Sequence, residues 1–172
     1  MNTVHYSGLS ALVKDFPFRR CLGMLTVEKQ GYTMEKNKEG YSMEEVYKFL
    51  KTCGTYYLAT MDGDQPRVRP FGTVDLYQGQ LTIQTGRKKD IARQMLENPK
   101  VEICAFDGQR WLRLAAKAVE VPEVAAQEHM LDAYPDLRAM YAPGDGNTMI
   151  FALTEATATF SSFTEPSRTV TF

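Results

Sequence analysis

The spacing of hydrophobic positions changes several times along the chain, and each change predicts an element. From Ser42 onward the apolar residues Val46, Phe49 and Leu50 fall on one face of a 3.6-residue period, and Gly54 follows them. Ser42 and Glu45 have the spacing of a capping box, so this stretch predicts a helix. Beyond Gly54 the period drops to two. Residues 55–61 (TYYLATM) are β-branched and aromatic, and Asp62-Gly63-Asp64 is turn chemistry. Residues 67–76 predict a second strand, and Tyr77-Gln78-Gly79-Gln80 turns it back into a third at 81–85. The helical period returns over 87–97, with Ile91 and Met95 on one face, and Asn98-Pro99 stops it. Residues 101–106 and 110–121 predict a hairpin about Asp107-Gly108. A short helix at 124–131 follows, Pro135 suits the first turn of another, and 149–160 is the last strand.

Six strands joined mostly by hairpins, with one helix between the third and fourth, do not read as a doubly wound parallel sheet. Antiparallel strands of that number remove their exposed edges by closing on themselves. The expected fold is mainly β: a small six-stranded antiparallel barrel with flanking helices. The barrel domain spans 41–163. Residues 1–40 read as a leader or arm, because charges and glycines mix there without period over 26–41, and 164–172 reads as a polar tail.

Charge and composition narrow the functional classes. Lys+Arg 20 against Asp+Glu 21 argues against a generally basic nucleic-acid binder or a polybasic membrane anchor. The chain has no apolar run near the ~20 residues of a membrane span, and its first residues lack the layout of a signal peptide. Cys21, Cys53 and Cys104 are odd in number and far apart, which suits a reducing compartment, so a cytoplasmic protein is expected. The two histidines, His5 and His129, lie near no serine or cysteine nucleophile, and the cysteines lack metal-ligand spacing. No metal site and no catalytic acid or base is expected. Enzymatic chemistry would then rest on a cofactor.

Three stretches break local rules. In Arg67-Val68-Arg69-Pro70-Phe71, alternation puts Arg67, Arg69 and Phe71 on one face and Val68 and Pro70 on the other. This reads either as an edge strand with solvated arginines or as a strand with a ligand against its backbone. Thr85-Gly86-Arg87-Lys88-Lys89-Asp90 runs from a strand end into a helix start. Three cations there oppose the helix dipole, and an anion such as a mono- or diphosphate would offset them; a solvated charge run is the plainer alternative. In Arg110-Trp111-Leu112-Arg113, Trp111 and Arg113 share a face with small residues, forming either a platform for a flat ligand or a cover for the barrel end.

With these three stretches in register, YYLATMDGDQPRVRPFG, LTIQTGRKKDIARQMLENPKVEI and RWLRLAAKAVEV, the chain resembles the pyridoxamine-phosphate-oxidase-like FMN-binding split-barrel proteins over roughly 42–162. The resemblance is to the small single-domain bacterial members. It implies a split barrel that forms a homodimer with FMN at the interface. Carried over, Arg67 and Arg69 meet the ribityl-phosphate region, Val68, Pro70 and Phe71 line the ring through their backbone, and Gln84 and Thr85 end the next strand beside it. Lys88 and Lys89 match the phosphate binders, with Arg87 as a substitute, while Trp111 stands where a polar residue, often Gln, meets the flavin in the true oxidases, and Arg113 is carried with it. The C-terminus, SSFTEPSRTVTF, lacks the Arg- and His-containing substrate motif of those oxidases, so vitamin B6 oxidation is not expected. The implied activity is an FMN-dependent oxidoreductase taking electrons from a nicotinamide nucleotide or a protein donor. Alternatives are a deazaflavin coenzyme or haem in the same cleft, a non-catalytic flavin carrier, and a small basic-patch RNA binder.

Overall fold

The computed structural model describes residues 42–172, so the leader expected at 1–40 lies outside the described residues. Helix α1 (Met43–Cys53) is followed by strands β1 (Tyr56–Asp62), β2 (Gln65–Phe71), β3 (Asp75–Tyr77) and β4 (Gln80–Gly86). Helix α2 (Asp90–Glu97) precedes the hairpin of β5 (Lys100–Phe106) and β6 (Arg110–Val121). Helix α3 (Val124–Ala133) and a 3₁₀ turn (Pro135–Ala139) lead to the long β7 (Thr148–Ser162) and the short β8 (Arg168–Thr171).

All pairings are antiparallel, in the order β2-β1-β5-β6-β7-β4-β3, and β8 pairs with β7. The sheet therefore has eight strands and not six. One extra strand arises because the expected second strand splits. At Gly72 an added Cβ would stand 3.3 Å from the Gly54 carbonyl oxygen, and the chain leaves the ladder there. The Thr73 hydroxyl accepts the Gln84 N–H at 3.1 Å in place of a backbone partner, and pairing resumes only at Asp75. The other extra strand lies in the expected polar tail. Val170 alternates inward opposite Ala158 and is buried. Arg168 beside it ion-pairs with Glu45 of α1. Glu45 is thereby drawn away from the capping box, and Ser42 makes no side-chain cap.

The core lies on one side of the sheet. Leu58, Ile103, Leu114, Ala158 and Val170 stand opposite one another across five strands, and all are buried. The opposite side carries Tyr57, Ala59, Cys104, Phe106, Trp111 and Arg113. Tyr57, Val68 and Phe106 are 54%, 64% and 55% exposed, too much for side chains of an ordinary outer face. Arg69 and Phe71, which share a face by alternation, turn that face to the core side. The β1–β2 register sets Arg69 opposite Leu58 and Phe71 opposite Tyr56, and Phe71 packs against the core.

Candidate functional site

The site is built at the end of β4, where both faces of the strand are covered. Leu81 and Ile83 enter the main core, while Ile150, opposite Gln84 on β7, packs with Ala126 and Met130 of α3. Gln84 and Thr85 are buried, like every residue of the strand after Gln80, at 4% and 3% exposure. Yet neither atom of the Gln84 amide, nor the Thr85 hydroxyl, has a hydrogen-bond partner. A buried polar group left unpaired costs about 1–3 kcal/mol, so three at one strand end mark bonds reserved for something else. All line a cavity of about 180 Å³ with Pro70, Phe71, Gly72, Thr73, Lys89, Leu137, Met140 and Tyr141. Small-molecule pockets start near ~300 Å³, so this cavity takes one end of a larger ligand.

The basic stretch differs from the expectation in a way that matters. α2 starts at Asp90, not Arg87, so the three cations sit in a turn before the helix, not in its first turn. Their backbone N–H groups are already spent. Arg87 N donates to the Asn147 carbonyl at 2.7 Å, Lys88 N to Asn147 Oδ1 at 3.2 Å, and Lys89 N to the Gly86 carbonyl at 3.0 Å. These three residues can therefore hold an anion only through their side chains. Arg87 pairs with Glu120, which leaves the exposed Lys88 and the cavity-lining Lys89 for that task. Lys89 Nζ lies 5.8 Å from the centre of the Tyr141 ring.

Of the residues picked from sequence, the cavity thus gathers Pro70, Phe71, Gln84, Thr85 and Lys89. Arg69 turns beneath the sheet, where its guanidinium donates to Leu58 O, Thr60 Oγ1, Arg67 O and Gln94 Oε1. Burial, and next the neighbouring Arg67, push its pKa down. Arg67 pairs with Asp62 at 3.5 Å, and Val68 projects from the outer face. Trp111 and Arg113 line a separate hollow of about 400 Å³ on that outer face, with Glu102 ion-paired to Arg113 at 2.6 Å. A larger hollow of about 480 Å³ adjoins it over Ala59, Met61 and Lys117 and contains none of the residues singled out from sequence.

Sequence reading missed Tyr141, Met140 and Leu137, because the segment between α3 and β7 showed only a helix-start proline at 135 and the turn signals that follow. The lone trace was an aromatic residue immediately before that turn-rich run. His129 stays outside the cavity and bonds Asp75 at 2.7 Å, tying α3 to β3. Cys53 is half-buried, which raises its pKa, and Cys104 is exposed on the outer face. Among the described residues, no three His, Cys, Asp or Glu side chains gather as a metal site requires, and no helix is long and apolar enough to cross a membrane.

Comparison with known proteins agrees with this architecture. The pyridoxamine 5'-phosphate oxidase family model matches residues 42–162. A NimC/NimA family protein from Clostridium acetobutylicum is 39% identical, with 76% of this chain and 92% of that one aligned at a TM-score of 0.74. General Stress Protein 26 from Bacillus anthracis, at 14% identity, covers 74% of this chain and 97% of its own with a TM-score of 0.58. A FAD-binding protein from Mesorhizobium loti, at 17% identity, covers 71% and 96% with a TM-score of 0.50. The last two share the fold alone. No curated protein matches the sequence. On the family match and the 39% relative, the chain belongs to the pyridoxamine 5'-phosphate oxidase family.

Proposed function

We propose that this protein binds FMN, non-covalently and one per chain, and acts as an FMN-dependent oxidoreductase in a cytoplasmic homodimer. The observation that carries the reading is the unspent hydrogen-bonding capacity of Gln84 and Thr85, buried beside Lys89. A hydroxylated chain ending in a phosphate answers that donor set. Lys88 and Lys89 hold the anion, Thr85 and the Gln84 amide take chain hydroxyls, and the backbone of Pro70 and Phe71 borders the ring. Bound FMN supplies two-electron transfer between an organic donor, such as a nicotinamide nucleotide or a protein, and an acceptor. With Lys89 taken by the anion, Tyr141 is the cavity-wall group able to hold a proton beside it. The cavity is too small for a whole flavin, so a second copy completes it, and the outer face with Tyr57, Phe106 and Trp111 is where that copy packs.

Reconstitution with FMN, FAD and riboflavin, followed by chromatography of what is retained, tests the assignment. Stoichiometric FMN is expected, and retention of FAD in preference would overturn it. Anaerobic bleaching by a nicotinamide nucleotide separates an enzyme from a flavin carrier. Sedimentation should give a dimer with or without FMN, and dilution into the monomer range should release the flavin. A monomer that keeps FMN at every concentration overturns the shared site.

A further inference from the structure

The basic turn 86–89 closes on itself with one bond, Lys89 N–H to the Gly86 carbonyl, and the N–H groups of Arg87 and Lys88 are taken by a residue far along the chain. Asn147 holds the turn at two points, its carbonyl accepting Arg87 N–H and its side-chain Oδ1 accepting Lys88 N–H. Gly86 is pinched into the same place. An added Cβ there would lie 3.2 Å from the Tyr141 hydroxyl and 3.3 Å from Asn147 Oδ1.

Asn147 is in turn held by the Asp145 carboxylate, next to the ladder pair of Thr148 with Gly86. Asp145 Oδ1 accepts the N–H groups of Asn147 at 2.8 Å and Thr148 at 2.6 Å. Its Oδ2 accepts the Ala142 N–H and the Thr148 hydroxyl, both at 3.1 Å. These bonds close residues 142–148 into a tight loop. Tyr141, a wall of the cavity, enters that loop at one end, and Asn147 leaves it at the other. This carboxylate, together with the bonds of the Asp145 N–H and the Thr148 hydroxyl to the Ala142 carbonyl and the ladder pairing of Gly86 with Thr148, sets the distance between the cavity wall and the turn carrying Lys88 and Lys89.

We infer that Asp145 and Asn147 are positioning residues for the anion end of the site, setting where Lys88 and Lys89 point without touching the ligand. The inference rests on the reading of that site as a phosphate site, and it assigns the 142–148 loop a role in choosing a phosphorylated over an unphosphorylated ligand. Loss of Asn147 Oδ1 frees the Lys88 N–H and lets the turn sample other shapes. The cations stay present but are no longer aimed, and a fixed charge binds better than a mobile one.

The test uses the full chain as Asn147→Ala and as the milder Asp145→Asn, which keeps one carbonyl acceptor. Hydrogen exchange is read over 86–89 in the flavin-free protein, together with the affinities for FMN and riboflavin. Exchange at Arg87 and Lys88 should quicken while 81–85 stays protected. The FMN-over-riboflavin preference should fall about tenfold, equal to about 1.4 kcal/mol, in Asn147→Ala and by less in Asp145→Asn. Unchanged exchange at 87–88 overturns the inference whether or not flavin binds. Equal loss of both flavins also overturns it, because that marks a loop that merely holds the fold together. A wild-type chain that binds neither flavin sinks the cofactor reading, and the exchange measurement still decides whether Asn147 holds the turn.

Discussion

Two buried glutamines in this protein have opposite surroundings. Gln94 on α2 is 2% exposed, and its Oε1 accepts the Thr60 hydroxyl at 2.6 Å and the Arg69 guanidinium at 2.8 Å. Gln84 on β4 is 4% exposed and bonds nothing through its side chain. The first region is complete: helix, β1 and β2 are locked together by groups that satisfy one another. The second carries the cost of burial with no return inside the chain. A folded protein tolerates that cost where a ligand supplies the missing partners, so the contrast separates the part of the molecule that makes the fold from the part that waits for something.

The sharpest way to break the contrast is to remove the cations beside Gln84. Lys88→Ala with Lys89→Ala should weaken FMN a hundredfold or more, since each charge-assisted phosphate contact is worth about 1.5–3 kcal/mol. Riboflavin affinity and the melting temperature should barely move, because neither lysine is part of the core. Titration of flavin fluorescence with both ligands decides it. Equal loss for the two flavins would mean that the turn shapes the fold.

Next in size is the other glutamine. Gln94→Leu strands a guanidinium N–H and the Thr60 hydroxyl in a buried place, and should cost about 2–3 kcal/mol of stability in urea unfolding. The fraction that stays folded should keep its preference for FMN over riboflavin. A Gln94→Leu protein as stable as wild type would show that the network adds nothing to the fold.

How much of this difference the sequence contained depends on which link is asked for. Alternation separated Arg69 and Phe71 from Val68 correctly, because a period of two is local. Which of the two faces meets the core is decided by register with β1, where Arg69 falls opposite Leu58, and no local pattern carries that. The turn signals of 77–80 and 107–108 gave the hairpins, whereas β8 is four residues long and is held by Val170 opposite Ala158 and by Arg168 meeting Glu45, which lies far away in sequence. The helix start was read at Arg87 because Asn147, which takes the N–H groups of Arg87 and Lys88, lies outside any local window. Thr85 and Lys89 were legible as a strand end meeting a basic helix start, and Gln84 only through the family resemblance. Tyr141 was not, since its place in the cavity wall follows from packing.

A smaller effect of opposite sign sharpens the comparison. Gln84→Leu removes two unpaired buried polar atoms and keeps most of the volume, so the flavin-free protein should be unchanged or more stable by about 1 kcal/mol. The same variant should lose about tenfold in affinity for FMN and riboflavin alike, because the amide is assigned to the part of the ligand that they share. Stability in urea and the two affinities are measured on one preparation. A loss of stability as large as that of Gln94→Leu would show that the Gln84 amide is already partnered, and the two regions would no longer differ.

The smallest effect concerns pH. Asp145 has a pKa lowered to about 2, first by the Thr148 N–H and then by those of Ala142 and Asn147. Its ordinary value is near ~3.9, so the unfolded chain takes up the proton first as pH falls. The stabilisation it gives is complete above that ordinary value and is lost as pH drops from there through about 2. Because the carboxylate is open to solvent, the loss should be local, a loosening of 142–148 and of the turn that Asn147 holds. Gln94 itself does not titrate, and the carboxylate of its region is Asp62 at the end of β1, its pKa held below the ordinary value first by the bond from Arg93. Exchange or chemical shifts of the Thr148 and Lys88 N–H groups, followed from neutral pH down to about 2, should change together and ahead of residues 58–60. Simultaneous loss in both regions would mean that acid unfolds the whole domain at once, and that the 142–148 loop is not separately held by Asp145.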